Sequence, residues 1–269
     1  MKRLAREYLS AVQFFTRIPV TGALGGWVGF SPEQLRASAA HFPGVGWLVG
    51  MAACVAFAVT SVLLPDTPLS PLAAAVACTI VSVLVTGAFH EDGLADLADG
   101  LGGSPRRERA LEIMKDSRIG SFGAIALMLA LLAKVTLLAV LASRSPGAVL
   151  AALLAGHTVS RFWPLLTIRT LPHIGEDATS KSKPLAERIE QRAVFVGIAW
   201  CVVPLALMAL ADRVAFAALA VLASAAGWWY MRRMLARRLQ GFTGDGLGAT
   251  QQVCEIAFYL GAACGLGAR

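Results

Sequence analysis

The sequence predicts an all-α, polytopic membrane protein, built as a bundle of about seven transmembrane helices. Of its 269 residues, 57 % are hydrophobic and only 15 % are charged, and the mean hydropathy is +0.64. Soluble domains contain about 25 % charged residues. The apolar residues also form runs of the length needed to cross the hydrocarbon, about 20 residues. A soluble globule of this size cannot bury so much apolar surface in one core.

The candidate spans follow one another along the whole chain. Most of them contain no charged residue, while the third contains only Lys134 and the fourth only Arg161. Lys134, nearer the middle of its span, is either a buried ion-pair partner or a snorkelling residue. Glu255 stands in the first turns of the last one. The predicted spans are 44–65, 69–89, 119–143, 146–168, 193–211, 214–231 and 250–267.

The basic residues predict the orientation, because cytoplasmic loops carry an excess of Lys and Arg. These residues cluster before the first span and in three loops, about 90–118, 169–192 and 232–249. The other side of the membrane keeps only Arg144, Arg213 and Arg269. We therefore expect the N-terminus in the cytoplasm and the C-terminus outside.

The remaining composition limits the class of protein further. The net charge of +7 is explained by topology, so we expect no nucleic-acid partner. Residues 1–19 are basic and amphipathic and do not resemble a cleavable signal. The five cysteines lie in apolar stretches without CxxC spacing, which favours reduced core residues. We expect one membrane-embedded domain over 1–269, with its site on the long cytoplasmic loops.

The strongest motif is the acidic segment 90–100, HEDGLADLADG. Asp92, Asp96 and Asp99 are spaced i, i+4 and i+7, so a helix would place all three carboxylates on one face. Together with Glu91 they suit Mg²⁺ or Mn²⁺. A solvated acidic helix end is the alternative, although 90–104 contains no Lys or Arg to balance it. His90 is a candidate for proton transfer, or an interfacial histidine.

Cationic residues that could bind phosphate lie in three further segments. Lys115, Asp116 and Arg118 precede Gly120 and Gly123 at the start of the third span, where backbone N–H groups would favour an anion. Plain positive-inside anchoring is the alternative there, and it is the favoured interpretation of the neighbouring arginines 106, 107 and 109. Two other candidate sets are Arg161, which faces a cavity or snorkels, and Lys181 with Lys183, in a phosphate-gripping loop or a flexible linker.

A glycine-rich segment, 241–251, precedes the last span. Its glycines would let the backbone approach a ligand closely, and Thr243 and Asp245 offer a hydroxyl and a second acidic point on the cytoplasmic side. A glycine-rich turn capped by Asp is the alternative.

Acidic metal ligands and phosphate-binding cations on one membrane face are the combination that phosphoryl transfer requires. The sequence has no Walker A motif, so ATP-driven pumping by this chain is not expected. One alternative is a phosphotransferase of the CDP-alcohol type, as in phospholipid synthesis. Another is a membrane transporter, for example of a metal ion, which would need ionisable groups near the bilayer midplane.

Five segments, in order, resemble the cobalamin (vitamin B12) synthase family. They are 14–20 (FFTRIPV), 42–46 (FPGVG), 89–100 (FHEDGLADLADG), 113–120 (IMKDSRIG) and 241–248 (GFTGDGLG), and 180–185 (SKSKPL) is also similar. The resemblance runs over nearly the whole chain, from about residue 9 to 256.

The resemblance implies an enzyme of the bacterial inner membrane whose active site faces the cytoplasm. The 3′-hydroxyl of α-ribazole, or of its 5′-phosphate, would attack adenosylcobinamide-GDP, release GMP and form adenosylcobalamin or its 5′-phosphate, with Mg²⁺ required and Mn²⁺ a possible substitute. The enzyme could form a homo-oligomer or associate with other late cobalamin-pathway enzymes. On this basis Asp92, Asp96 and Asp99 hold Mg²⁺, completed by Glu91 or Asp245; Asp99 or Asp96 is the base, with His90 in reserve. The cations Lys115, Arg118 and Arg161 neutralise phosphates.

Overall fold

A computed structural model describes residues 2–174, 189–211 and 213–267. Within these ranges it forms α-helices and no strand; one isolated bridge joins His173 to Phe242. The all-α prediction is confirmed. The helices are α1 (Lys2–Phe15), α2 (Gly22–Val28), α3 (Pro32–Ser38), α4 (Phe42–Leu63), α5 (Ser70–Thr86), α6 (Phe89–Gly103), α7 (Arg107–Met114), α8 (Ser121–Arg144), α9 (Pro146–Ser160), α10 (Trp163–Thr170), α11 (Gln191–Ala211), α12 (Val214–Arg238) and α13 (Gly244–Gly267).

Several helical segments of the described chain are long and apolar enough to cross a membrane. They are Pro32–Leu63, Ser121–Arg144, Pro146–Thr170, Gln191–Ala211 and Val214–Arg238, and a sixth results if α5 and α6 form one bent span. The polytopic membrane class is thus supported. Helix α13 is not in this set, since Gln251, Gln252 and Glu255 lower its hydropathy. The count of seven and the orientation stay predictions.

Helix α9 lies at the centre of the bundle. In its segment, Pro146–Thr170, 72 % of the most apolar window is buried, against 17–33 % in the other four. It packs on α4, α8, α11 and α13. Gly46 of α4 faces the His157 backbone so closely that a Cβ atom there would clash, and the two helices therefore cross at contact distance.

The polypeptide turns sharply where the second predicted span ends. Gly87 (φ 67°) and Ala88 (φ 60°) both adopt the left-handed conformation, which breaks the helical hydrogen-bonding pattern. Helix α6 therefore leaves α5 at 89°. The acidic motif lies on a separate helix that follows the span and packs across α13 and α8.

Two arginines of the predicted cytoplasmic segments donate hydrogen bonds to backbone carbonyls at helix ends. Arg107 Nε donates to the carbonyl of Leu239, the residue that follows α12, at 2.6 Å. Arg238 Nη2 donates to the carbonyls of Leu101 and Ser104 at 3.0 and 2.8 Å. Cations stabilise the unpaired carbonyls at helix C-termini, so these residues have a structural function.

Candidate active site

The acidic motif forms the helical face that its spacing predicts. Asp92, Asp96 and Asp99 all lie on α6, and α13 adds Asp245 from its first turn. The two helices meet at Gly93, where a Cβ atom would lie 2.8 Å from the Asp245 carbonyl oxygen. Only glycine permits this approach, which brings carboxylates from two distant segments together.

Two of these carboxylates, Asp96 and Asp245, have a raised pKa. Burial, followed by the charges of Asp92, Asp245 and Asp99, raises the pKa of Asp96 from 3.8 to about 6. Burial and the charge of Asp92 raise the pKa of Asp245 to about 6 as well. Each of the charges that shifts the Asp96 pKa is another carboxylate. Crowded like charges of this kind favour a bound cation.

Asp99 has a further function that its spacing did not predict. Its Oδ2 accepts a hydrogen bond from Gly120 N at 2.7 Å, and its Oδ1 accepts one from Gly123 N at 2.8 Å. A Cβ atom at either glycine would clash with this carboxylate. The helix N-terminus that was predicted to favour an anion therefore binds Asp99, which attaches α6 to the start of α8.

The predicted phosphate-binding residues of 115–118 lie beside this contact. Asp116 and Arg118 line an open cleft together with Asp99 and Gly120. The Arg118 guanidinium pairs with Asp116, Nε to Oδ1 at 3.0 Å and Nη2 to Oδ2 at 2.6 Å, and these bonds lower the pKa of Asp116 to about 2. Lys115 is exposed at the end of α7. Arg118 thus lines this cleft, whereas Lys115 lines a second cleft on the other side of Glu112.

Arg109 lines the same cleft, although its sequence context favoured membrane anchoring. Its Nη1 lies 2.8 Å from Glu112 Oε2. The i, i+3 spacing places Arg109 and Glu112 on the same face of α7, and both side chains line the cleft. No sequence signal separates Arg109 from its neighbour Arg107.

Thr243 caps α13. Its Oγ1 accepts a hydrogen bond from Gly246 N at 3.1 Å, which is the geometry of a helix N-cap. The hydroxyl predicted to bind substrate therefore positions the first turn that carries Asp245. Lys181 and Lys183 lie outside the described residues.

Arg161 is buried, with 2 % of its surface exposed, so the snorkelling alternative is excluded. Its Nη1 donates to the His157 carbonyl at 2.8 Å, and its guanidinium lies 5.8 Å from the centroid of the Phe42 ring. Within the described residues its Nε has no hydrogen-bond partner.

Beneath α6 lies a buried polar network centred on Glu255. Lys134 Nζ pairs with Glu255 Oε1 at 2.7 Å, so the ion-pair alternative for Lys134 is confirmed. Tyr259 OH and Gln251 Nε2 also donate to this carboxylate, at 3.1 and 2.6 Å. Charges inside a membrane protein are costly unless they are paired in this way.

The network extends to the acidic motif. Gln252 Nε2 donates to Glu91 Oε1 at 2.9 Å and to Gln251 Oε1 at 3.1 Å. Glu91 is 7 % exposed, and its Oε2 has no partner in the described part of the chain. Of the residues predicted as metal ligands, Glu91 therefore belongs to the buried network. The i, i+4 spacing of Gln251, Glu255 and Tyr259 was the signal that could have predicted it.

An aromatic cavity lies next to the acidic residues. His90 lines it and is 1 % exposed, and its Nε2 has no partner among the described residues. Phe42 stacks on the His90 ring at a centroid distance of 5.6 Å.

The fit to Mg²⁺ rests on the exposed end of the acidic cluster. Within the described residues no three His, Cys, Asp or Glu side chains form a ready metal cage. Mg²⁺ does not require one, because it usually keeps several waters and binds one or two carboxylates together with substrate phosphates. Asp92 and Asp245, on facing helices, supply such a pair.

Comparison with known proteins connects this arrangement to a family. A family model described as cobalamin-5-phosphate synthase matches residues 7–263. Proteins called adenosylcobinamide-GDP ribazoletransferase are similar over the full length: that of Albidiferax ferrireducens is 58 % identical (99 % of this chain, 100 % of the relative), and that of Polaromonas naphthalenivorans is 56 % identical (99 % and 100 %). The protein of that name from Leptothrix cholodnii is 44 % identical (96 % and 94 %). No solved structure matches the chain.

Proposed function

The chain belongs to the cobalamin-5-phosphate synthase family, and we propose that it is the transferase that joins adenosylcobinamide-GDP to α-ribazole or its 5′-phosphate. The products are GMP and adenosylcobalamin or its 5′-phosphate. The observation that carries the proposal is the meeting of Asp92, Asp96 and Asp245 at the α6–α13 crossing. A cleft with accessible cations lies beside it.

The reaction is a displacement at phosphorus. The 3′-oxygen of the acceptor forms a bond to the phosphorus that stays on cobinamide, and the bond from that phosphorus to the bridging oxygen of GMP breaks. GMP leaves with the bonding electrons, and the hydroxyl proton passes to a carboxylate. Asp96 is the proposed base, because a pKa of about 6 suits a group that accepts a proton near neutral pH.

The other residues position and neutralise the reactants. Lys115 and Arg118 neutralise the departing GMP, and Asp99 positions α6 on α8 through its two amide contacts. Asp92 and Asp245 would hold Mg²⁺, which Mn²⁺ could replace. When bound, the metal supplies positive charge against the diphosphate. We assign Arg161 to the support of the buried network, since it contacts His157 and Phe42.

We also propose that the protein lies in the bacterial inner membrane with this site on the cytoplasmic side. The basic residues near α1, α7 and the end of α12 support this orientation. A homo-oligomer, or association with other enzymes of late cobalamin synthesis, is part of the same proposal and is tested by the mass of the particle in nanodiscs.

The test is a transfer assay with purified protein in nanodiscs, supplied with adenosylcobinamide-GDP, α-ribazole and Mg²⁺. We expect equal amounts of GMP and cobalamin, both abolished by EDTA. Asp96→Asn should lower the rate about 10²–10⁴-fold, the usual contribution of a positioned base. Asp66→Asn, at an exposed position between α4 and α5, is the matched control. No product from folded protein with Mg²⁺ would overturn the proposal, and CDP-activated donors would then be tested.

A further inference from the structure

A region formed by α1, α3, the turn Ala39–His41 and the start of α11 has no function in the mechanism above. It contains a charged cavity of about 270 Å³ and an open apolar groove of about 500 Å³. Leu4, His41 and Val196 line both of them, so the cavity and the groove are continuous. Together they fall in the size range of small-molecule sites.

The charged cavity carries both signs of charge in equal number. Three arginines and three glutamates line it: Arg3, Arg36, Arg192, Glu7, Glu33 and Glu190. A ligand with a negative charge alone would meet as many carboxylates as guanidinium groups. A ligand with one charge of each sign can pair with both kinds of side chain, so the lining favours a zwitterion.

The groove is almost entirely apolar. Its residues other than His41 are apolar or aromatic: Leu4, Ala5, Tyr8, Val196, Ala199 and Trp200. The Trp200 ring is held on two sides, because Tyr8 stacks on it with centroids 5.3 Å apart and its Nε1 donates to His41 Nδ1 at 3.2 Å. A preformed apolar surface of this kind can bind hydrocarbon without first rearranging.

The cavity and the groove lie at different depths along α11, which is one of the helices long and apolar enough to span the membrane. Arg192, near its first residue, lines the cavity; Val196 lines both, and Trp200 lines the groove. A helix rises 1.5 Å per residue, so the step from Arg192 to Trp200 covers about 12 Å. The site therefore leads from the charged end of the span into the hydrocarbon.

We propose that this region binds one phospholipid whose head group carries a phosphate and a primary ammonium, as in phosphatidylethanolamine. The arginines of the cavity would bind the phosphate, the glutamates would bind the ammonium, and an acyl chain would lie in the groove along α11. A bilayer presents such a ligand already oriented, with its charges at the surface and its chains inside. This binding site lies outside the reaction and does not depend on the proposed function.

The first test measures which lipid the purified protein binds. The protein in detergent is incubated with equal amounts of phosphatidylethanolamine, phosphatidylglycerol and phosphatidylcholine, and native mass spectrometry identifies the bound lipid. We expect one phosphatidylethanolamine per chain, bound at least about fivefold more tightly than either competitor. Phosphatidylglycerol lacks the ammonium, and the trimethylated nitrogen of phosphatidylcholine has no N–H to donate. Equal binding of the three lipids, or a preference for phosphatidylglycerol, would overturn the proposal.

The second test removes one cation from the cavity. Arg192 is exposed in the first turn of α11, so Arg192→Gln is expected to fold. It should bind phosphatidylethanolamine at least about tenfold more weakly, a loss of about 1.4 kcal/mol. The matched control is Arg213→Gln, at an exposed position before α12 on the predicted opposite side of the membrane, and we expect its binding to be unchanged. Undiminished binding by Arg192→Gln would overturn the proposal.

The third test fills the groove. Ala199 is exposed on α11 and lines the groove, so the ring in Ala199→Trp should take the place of the acyl chain and weaken lipid binding at least about tenfold. Ala218→Trp, at an exposed position of α12, is the matched control and should bind as the unaltered protein does. An equal effect of the two substitutions would mean that the lipid is not in the groove, and the proposal would fail.

A soluble probe distinguishes a lipid site from a site for free phosphate compounds. Glycerophosphoethanolamine has the same head group without acyl chains, and we expect it to bind at least about a hundredfold more weakly than the lipid, because no hydrocarbon is buried. Equal binding of the two would overturn the lipid assignment, as would a particle of doubled mass without bound lipid, in which a second chain covers the groove. None of these measurements uses transfer activity, so their failure and that of the proposed function are distinguishable.

Discussion

Two acidic regions lie close together in this protein and differ in how their charges are balanced. At the α6–α13 crossing, burial and the charge of Asp92 raise the pKa of both Asp96 and Asp245. Inside the bundle, Glu255 is buried but receives Lys134, Tyr259 and Gln251 as partners. The first arrangement costs free energy in the absence of a cation, and the second minimises the cost of burial.

The contrast indicates where function and stability lie. A protein under selection for stability alone would separate like charges, so a cluster retained at the mouth of a cleft points to a ligand. The buried network pairs its charges, which lowers the cost of burying them. Side-chain hydrogen bonds run from Glu91 through Gln252 and Gln251 to Glu255. They fix the position of the acidic helix α6 relative to the buried network.

The largest effect on stability should come from breaking the buried pair. Lys134→Met leaves Glu255 without its cation inside the bundle, which is expected to destabilise the fold by about 3–5 kcal/mol. Replacing both charges, in Lys134→Met/Glu255→Gln, should restore part of this, because the Lys–Glu pair is then removed as a whole and only the buried Arg161, whose charge also acts on Glu255, loses an opposite charge. Unfolding in mixed micelles measures the stability of both variants. If Lys134→Met is as stable as the unaltered protein, the Lys134–Glu255 pair is not the centre of the network.

A change in the exposed region should affect catalysis and not folding. Asp245→Asn keeps the size of the side chain and removes one carboxylate of the proposed metal pair. We expect kcat/KM to fall about 10²-fold, comparable with the loss of a preorganised charge at a reacting phosphate, and the Mg²⁺ concentration for half-maximal rate to rise. The transfer assay over a Mg²⁺ series checks this. An unchanged Mg²⁺ dependence would remove Asp245 from the metal site.

Sequence patterns predicted the two regions unequally. Uninterrupted apolar runs predict the spans because crossing hydrocarbon sets their length, and the i, i+4, i+7 spacing of Asp92, Asp96 and Asp99 predicts their common face. Contacts between residues that are far apart in the sequence leave no such periodic pattern. The amide contacts of Asp99 at the start of α8 depend on how helices pack.

The same limit applies to the partner of Lys134. Its sequence context allowed either burial or snorkelling, and only the crossing of α8 and α13 brings Glu255 to it. The turn at Gly87 and Ala88 follows the same rule, since a left-handed alanine has no sequence signature. Local periodicity thus predicts elements, and close approaches at glycine decide which of their faces meet.

The smallest expected effect is also on stability, but its sign is opposite: removing the Asp245 charge should stabilise the metal-free fold, whereas breaking the buried pair destabilises it. In the metal-free protein Asp245 has a folded-state pKa of about 6, above the value of about 3.9 for an unfolded Asp. Between about pH 4 and 6 the folded chain therefore binds more protons than the unfolded chain, and its stability falls as the pH rises through this window. Above it, the carboxylate destabilises the fold by an amount on the order of 1 kcal/mol after allowance for solvent screening.

Asp245→Asn should accordingly stabilise the EDTA-treated protein at pH 7 and flatten its stability between pH 4 and 6, whereas Lys134→Met destabilises it at both pH values. Thermal unfolding with EDTA across this range measures the difference. Saturating Mg²⁺ should stabilise the unaltered protein more than the Asn variant, because only the former keeps both proposed ligands. If the variant instead loses stability at pH 7 without metal, Asp245 is paired in the folded protein, and the contrast between the two acidic regions does not hold.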